Sequence, residues 1–308
     1  MPNFNDKINI HFFEKVKFII FKKMIDNNKD KNETVEFDNI IFTINDELKT
    51  SCIIRSDSTK EEILIPRSIN HNSKEYDITG IFGIAFSGST IKSINFASDS
   101  KLQAIGLNVF LLSTIEDITI PSEVTDLKEG WCNGTIYLNR VFVSPSNPRY
   151  CSLNDQMIIG KSSLELASYD CLVFCVRNIK TITIPNYIKY ICTSSFSQSS
   201  IESIKIPSKV TKIGEYAFCF CEKLRKIEFS SDSELQIIEQ NAFSSILLES
   251  LIIPSQVTKI AKNAFSNCKK LKIIEFVGDF DPNSIDLSSF KKNVILMFQA
   301  NSKKSEKQ

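Results

Sequence analysis

The side chains best suited to chemistry in this sequence are nine cysteines and two histidines. Cysteine or serine catalysis needs a histidine base beside the nucleophile, but His11 lies in the N-terminal flank and His71 in a loop-like stretch. No Cys-x-x-Cys pair offers zinc-ligand spacing, and none of the nine glycines forms a phosphate-binding loop. The sequence therefore predicts no catalytic residue, no metal and no cofactor, and an enzyme is not expected.

The positions of the cysteines follow a repeat instead. Cys221 and Cys268 each stand three residues after a phenylalanine, Phe218 and Phe265. Cysteine at a fixed repeat position is most simply a small buried apolar residue. Reduced structural thiols are therefore favoured, with a disulfide as the weaker alternative.

One short stretch has the oxygen-bearing side chains of a calcium loop, with Asp279, Asp281 and Asn283 at alternate positions. Such a loop needs glycine at its sixth position and glutamate at its twelfth. This chain has Ser284 and Phe290 there, so a polar turn is favoured.

Composition excludes some classes of function. Among 308 residues, 37 basic side chains balance 36 acidic ones, which gives no global attraction to nucleic acid. Residues 8–25 are apolar-rich, but lysines interrupt them, so neither a signal peptide nor a transmembrane helix is predicted. Because these charges do not segregate onto one helical face, packing of residues 8–25 against the first repeat is favoured over contact with a membrane surface. On sequence alone the cytoplasm is the expected compartment.

The elements that position any site come from one recurring phrase: isoleucine or leucine, three residues, then a small residue and an aromatic. Copies start at Ile81, Ile105, Leu127, Ile191, Ile213, Ile238 and Ile260. Consecutive copies are 22 to 25 residues apart, except across one gap, and this period indicates a solenoid. In the third copy Trp131-Cys132 exchanges the large and small residues, which we interpret as a compensating volume swap rather than a tryptophan exposed for binding.

A second phrase, Leu/Ile-x-x-Ile-x-Ile/Phe, accompanies each copy and alternates apolar and polar residues as a half-buried strand does. Strands stacked about 4.8 Å apart would bury one another's apolar edges. The phenylalanines should then line up in a buried column. The predicted organisation is a basic-apolar flank at 1–35, a capping hairpin at 36–62, a solenoid at 63–276 with an irregular repeat at 144–178, a C-terminal cap at 277–300 and a disordered tail at 301–308.

Two stretches, IPSKVTKIGEYAFCFCEKLRKIEF and IPSQVTKIAKNAFSNCKKLKIIEF, resemble the BspA-type family of leucine-rich repeat proteins. The resemblance covers roughly Ile63 to Phe276. It implies a right-handed leucine-rich repeat solenoid with a parallel β-sheet on its concave side and short irregular, turn or helical returns. Many members are surface or secreted proteins that bind host matrix proteins, other cells or mucosal surfaces. The family supplies no catalytic residues.

The residues that flank the central aliphatic of each strand should face the concave surface and form the binding surface. They are Ser93, Asn95, Asp117, Thr119, Thr181, Thr183, Ser203, Lys205, Lys226, Glu228, Ser250, Ile252, Ile273 and Glu275. Ile252 and Ile273 would form part of a protein-binding patch, unless the C-terminal segment Val294 to Phe298 folds over them. We favour the covered alternative.

The predicted function is that of a non-catalytic protein-interaction module presenting a concave sheet, including adhesin-like binding to host or extracellular proteins. The alternative is an intracellular scaffold that uses the same surface. The expected partner is a protein or glycoprotein of unknown identity, not a nucleic acid. The family resemblance implies that this chain lies at the cell surface.

Overall fold

The computed structural model describes residues 33–278, 290 and 294–299. They form a parallel β-solenoid of about ten turns, and no helix occurs within these ranges. In chain order the strands are β1 (Thr34–Phe37), β2 (Ile40–Asn45), β3 (Thr50–Ser56), β4 (Glu62–Ile65), β5 (Ser68–His71), β6 (Lys74–Ile81), β7 (Ser93–Phe96), β8 (Ala104–Ile105), β9 (Asp117–Ile120), β10 (Asp126–Leu127), β11 (Arg140–Val143), β12 (Tyr150–Leu153), β13 (Met157–Gly160), β14 (Cys171–Cys175), β15 (Tyr190–Ile191), β16 (Ser203–Ile206), β17 (Lys212–Ile213), β18 (Lys226–Phe229), β19 (Ile237–Ile238), β20 (Ser250–Ile253), β21 (Lys259–Ile260), β22 (Ile273–Val277) and β23 (Ile295–Gln299).

Six strands predicted from the second phrase, together with β4, β11 and β23, form three parallel long-strand sheets, in the orders β11-β9-β7-β4, β16-β18 and β20-β22-β23. Their central aliphatics face the core, as Ile94, Ile118 and Ile204 show by being buried. The predicted strand at Ile179 to Ile184 contributes only one bridge, Thr183 to Lys205. Beside β11 lies the β12–β13 hairpin instead, with the Ser152 hydroxyl accepting a 2.6 Å bond from the Val143 amide.

A second ladder, which the sequence reading did not foresee, runs along the start of each return. The two-residue strands pair in parallel through the first isoleucine or leucine of each phrase, β8 with β10 in one sheet and β15, β17, β19 and β21 in another, for example Ile213 with Ile238. The recurrence of Val-Thr-x-Ile, at Val210–Ile213 and again at Val257–Ile260, was a usable signal for this ladder.

The predicted column of phenylalanines is present, in two stretches. Phe86 stacks on Phe110 at 5.8 Å between ring centroids, and Phe196, Phe218, Phe243 and Phe265 stack at 4.8, 5.2 and 5.4 Å. All six rings are buried. Fully burying one such ring stabilises the fold by about 3 kcal/mol.

Between the two stretches the column is irregular. Trp131 is buried, as the volume swap predicts, and contacts Phe110 edge-on at 6.3 Å and Phe174 at 5.6 Å. Arg177 lies just after β14, three residues after Phe174. Its buried guanidinium lies 4.6 Å from the Phe174 ring centroid and donates 3.0 Å and 3.4 Å bonds to the carbonyl oxygens of Ser195 and Cys132.

Each return turn holds two residues in the left-handed region, one two residues before and one two residues after the aromatic position. In the last turn they are Asn263 (φ 59°) and Asn267 (φ 57°), whose short side chains tolerate this conformation. Tyr216 (φ 54°) and Phe220 (φ 57°) take the same positions around Phe218, at a steric cost.

The N-terminal end carries the antiparallel strands β1, β2 and β3, with β3 joining β6 in parallel. A turn at Asp38-Asn39 (φ 51° and 58°) separates β1 from β2. Within the irregular segment 144–178, β12, β13 and β14 are antiparallel neighbours, and β14 then pairs in parallel with β15.

Candidate interaction surface

The outward side chains of the long strands form two rows across the solenoid. The first row is Glu62, Ser93, Asp117, Arg140, Thr181, Ser203, Lys226, Ser250, Ile273 and Ile295. The second row is Leu64, Asn95, Thr119, Phe142, Thr183, Lys205, Glu228, Ile252, Glu275 and Met297. Within each sheet the register places successive members on adjacent strands.

All fourteen residues singled out from the sequence belong to these rows, and each is partly or fully exposed. The structure does not join them into one hydrogen-bonded sheet, because the ladder is interrupted before Thr183 and between β18 and β20. Sequence reasoning missed six members of the rows. They are Glu62, Leu64, Arg140, Phe142, Ile295 and Met297. The alternation of Arg140-Val141-Phe142-Val143 could have identified β11.

The N-terminal part of the first row is a polar ladder. The Ser93 hydroxyl donates a 2.6 Å bond to Asp117 Oδ1, and Arg140 Nη2 lies 2.8 Å from Asp117 Oδ2. One carboxylate thus links β7, β9 and β11. In the second row, Leu64 and Phe142 are exposed, but Asn95 and Thr119 separate them.

The central part of the rows carries opposite charges close together. Lys226 Nζ lies 2.6 Å from Glu228 Oε1, and this hydrogen bond lowers the pKa of the Glu228 carboxyl. Lys205 is the cross-strand partner of Glu228. These charges are therefore largely neutralised among themselves.

At the C-terminal end the expectation that Val294 to Phe298 covers Ile252 and Ile273 is wrong. Ile252 is 56% exposed and Ile273 36% exposed. Strand β23 does not lie over them but pairs in parallel with β22, so that Ile295 follows Ile273 in the first row. The reason is that β23 continues the alternation of the ladder: Phe298 stacks on Phe276 at 5.0 Å.

The cysteines considered for chemistry lie at positions that serve the packing of the solenoid. Cys221 and Cys268 are buried and donate to the carbonyl oxygens of Phe196 and Phe243, as expected for a repeat position. Burial raises the pKa of the Cys221 thiol to about 11. The hydrogen bond between Cys171 and Cys192 raises the pKa of the Cys171 thiol, and burial adds to this effect. All nine cysteines are free thiols.

Of the other residues considered for chemistry or membrane contact, some lie within the described ranges and some outside them. His71 contacts the Glu33 carboxylate at 2.9 Å. Within residues 33–278, 290 and 294–299, no group of three or more metal-ligating side chains occurs. Over the same ranges no helix is long and apolar enough to cross a membrane. The flank at 8–25, the Asp279–Asn283 stretch and the tail at 301–308 lie outside the described residues.

Comparison with solved structures gives proteins of similar fold. A leucine rich cell surface protein from Faecalibacterium prausnitzii is 18% identical, with a TM-score of 0.51 over 90% of this chain and 97% of the other. The pneumococcal vaccine antigen PcpA is 18% identical, with a TM-score of 0.53 over 88% of each chain. At this identity the likeness shows the fold alone. A search of curated proteins found no match.

Comparison with protein families is decisive, because the pattern described as "BspA type Leucine rich repeat region" matches six times, over residues 67–154 and 165–296. These ranges span most of the chain and contain the buried column and the two outward rows except Glu62, Leu64 and Met297. The chain therefore belongs to the BspA-type leucine-rich repeat family.

Proposed function

We propose that this chain is a non-catalytic protein-interaction module that binds its partner through the two outward rows of the long-strand sheets. The observation that carries the proposal is the uncovered apolar surface formed by Ile252, Ile273, Ile295 and Met297 at one end of those rows. Contiguous exposed apolar side chains are characteristic of protein-binding surfaces. Strand spacing of about 4.8 Å holds the rows at fixed intervals, so the surface is preorganised before a partner arrives.

The finer proposal is adhesin-like binding to a host or extracellular protein. Two proteins of similar fold support it, since one is described as a cell surface protein and the other as a vaccine antigen. The fourteen residues named from the sequence, together with Ile295 and Met297, are the proposed contact surface.

Binding of the full chain to immobilised extracellular-matrix proteins and mucin, measured by biolayer interferometry, tests the interaction. Two variants test the surface: Ile252→Ser/Ile273→Ser at the apolar end, and Asn95→Ala/Thr119→Ala at the polar end. We expect binding to at least one protein of the panel and its loss in one of the outward variants, while circular dichroism and unfolding stay as in the parent chain. The proposal would be overturned if no protein of the panel bound, or if neither variant changed the binding.

Surface labelling of intact, unpermeabilised cells tests the adhesin-like part separately. Labelled protein is the expected result. Protein that becomes accessible only after permeabilisation would exclude the adhesin-like role and favour a scaffold inside the cell that uses the same rows.

A further inference from the structure

The last three long strands carry an apolar corner on their outer face, which we define as Ile252, Ile273, Ile295 and Met297. Their exposed fractions are 56, 36, 59 and 46%. Ile273 pairs in register with Ile295, and Glu275, between Ile252 and Met297, is the one acidic residue among them. The corner spans two strand spacings, or about 10 Å.

Beside the corner the surface has a basic notch. Strands β18 and β20 share no ladder, and a notch of about 260 Å³ is lined by Arg225, Leu247, Glu249, Ser250 and Lys270. Ser250 links the two features, because it lines the notch and is the cross-strand partner of Ile273.

The turns around the notch differ in length and in charge. In the turns that start at Phe218 and Phe265, the central aliphatic residue of the next long strand comes nine residues after the phenylalanine. In the turn between them it comes eight residues after Phe243, at Leu251. The two longer turns carry basic residues, Arg225 and Lys270, where the shorter turn has Leu247 and Glu249. The short turn is therefore flanked on both sides by cations.

The cations of the notch outnumber its acids. Arg225 Nη1 donates to the Lys223 carbonyl oxygen at 2.9 Å, and no carboxylate of the described residues pairs with Arg225 or Lys270. The acid of the notch, Glu249, lies 3.7 Å from Lys272. Two cations thus remain for an incoming anionic group, next to apolar surface.

We propose that this corner and notch bind one extended segment of a protein partner with an acidic residue followed by apolar residues at alternate positions, acid-x-apolar-x-apolar. The carboxylate would pair with Arg225 and Lys270, and the apolar side chains would cover Ile273 and Ile295. Same-side residues of an extended chain are about 6.7 Å apart, so two such steps cover the distance from Ser250 to Ile295. This inference rests on the proposed function and names the partner's chemistry.

A peptide array tests the motif directly. Pentapeptides with Asp or Glu at position one and Ile, Leu, Val or Phe at positions three and five are probed with the labelled full chain. Matched peptides carry Lys at position one, or Ser at positions three and five. We expect binding to the acidic-apolar peptides and at least tenfold weaker binding to both controls.

Variants of the protein locate the site. Ile273→Ser should weaken binding of the acidic-apolar peptides about tenfold, and Arg225→Ala/Lys270→Ala should abolish the preference for the acid over lysine. Leu164→Ser, a matched change at an exposed apolar side chain between β13 and β14 and outside both rows, should leave binding unchanged. No peptide binding, equal binding of acid and lysine peptides, or indifference to Ile273→Ser would overturn the inference.

Two outcomes separate this inference from the proposed function. If the chain binds a protein of the matrix panel but no peptide of the array, the corner is not a receptor for such a segment and the interaction module stands. The other outcome is that sedimentation shows a dimer that Ile273→Ser dissociates, while no peptide of the array binds. In that case the corner binds a second copy of this chain and the inference is wrong.

Discussion

The sheet β11-β9-β7-β4 and the sheet β20-β22-β23 have the same kind of inner packing, but the side chains on their outer faces contrast in chemistry. In the first, Asp117 satisfies Ser93 and Arg140 across three strands. In the second, Ile273 and Ile295 stand exposed side by side. The comparison shows that stacking constrains the inward residues alone, so the outer face is free to take the chemistry of a partner. A region whose outward side chains already bond to one another has less to offer a partner than one whose apolar side chains are uncovered.

The strongest test of the comparison concerns what the two regions have in common. Phe110→Ala near the first sheet and Phe243→Ala near the second should each lower the free energy of unfolding by about 3–5 kcal/mol, because both rings are fully buried in the column. Urea denaturation followed by circular dichroism measures this loss. A loss below about 1 kcal/mol at either site would mean that the two regions do not share the same inner packing.

Arg177 tests the junction between the regions. It joins Cys132, on the N-terminal side of the irregular segment, to Ser195 on the other side. Arg177→Met should cost about 2 kcal/mol, because buried carbonyl oxygens lose charged hydrogen bonds. The exposed Arg225→Met serves as the matched control and should change stability by less than about 0.5 kcal/mol. Equal effects of the two changes would show that Arg177 has no special role at the junction.

The polar ladder sets apart the first region. Asp117→Asn should lower stability by about 0.5–1 kcal/mol, since Arg140 is largely exposed and its ion pair is screened. The loss should shrink when the unfolding experiment is repeated in 1 M NaCl. A loss that salt does not change would indicate packing rather than charge as the role of Asp117.

The smallest effect concerns the turns, where the regions should respond alike. Leu112 and Phe220 both have φ 57° and are partly exposed, whereas the last turn has Asn267 at this position. Leu112→Asn and Phe220→Asn should each raise the free energy of unfolding by about 0.5 kcal/mol, since asparagine tolerates the left-handed region. Glu222→Asn, in the same turn but not at positive φ, is the control. Destabilisation in both variants would mean that their apolar contacts outweigh the backbone strain.

Most of the fold could be predicted from the sequence, because the buried positions repeat at a fixed interval and stacking forces equivalent residues into columns. The phenylalanine column, the cysteine positions and the outward residues of six long strands all follow from that rule. The short second ladder was missed because two-residue strands leave little alternation to detect. Arg177 was missed because a buried charged residue contradicts burial preferences.

The candidate site was less predictable than the fold. Strand β23 carries no copy of the second phrase, so the sequence did not assign it to the sheet. Burial of Ile252 beneath this segment looked more favourable than extension of the ladder. The basic notch lies where β18 and β20 share no ladder, and the sequence does not reveal that break, because turns of eight and nine residues also stand side by side where the long strands pair.

The exposed apolar corner is tested most directly by a pair of methionines within the described residues. Met297 is 46% exposed at the corner, whereas Met157 is 1% exposed in the core. With dilute hydrogen peroxide and peptide mass spectrometry, Met297 should be converted to the sulfoxide at least tenfold faster than Met157, since oxidation follows exposure. Equal protection of both methionines would show that the corner is covered and would contradict the account.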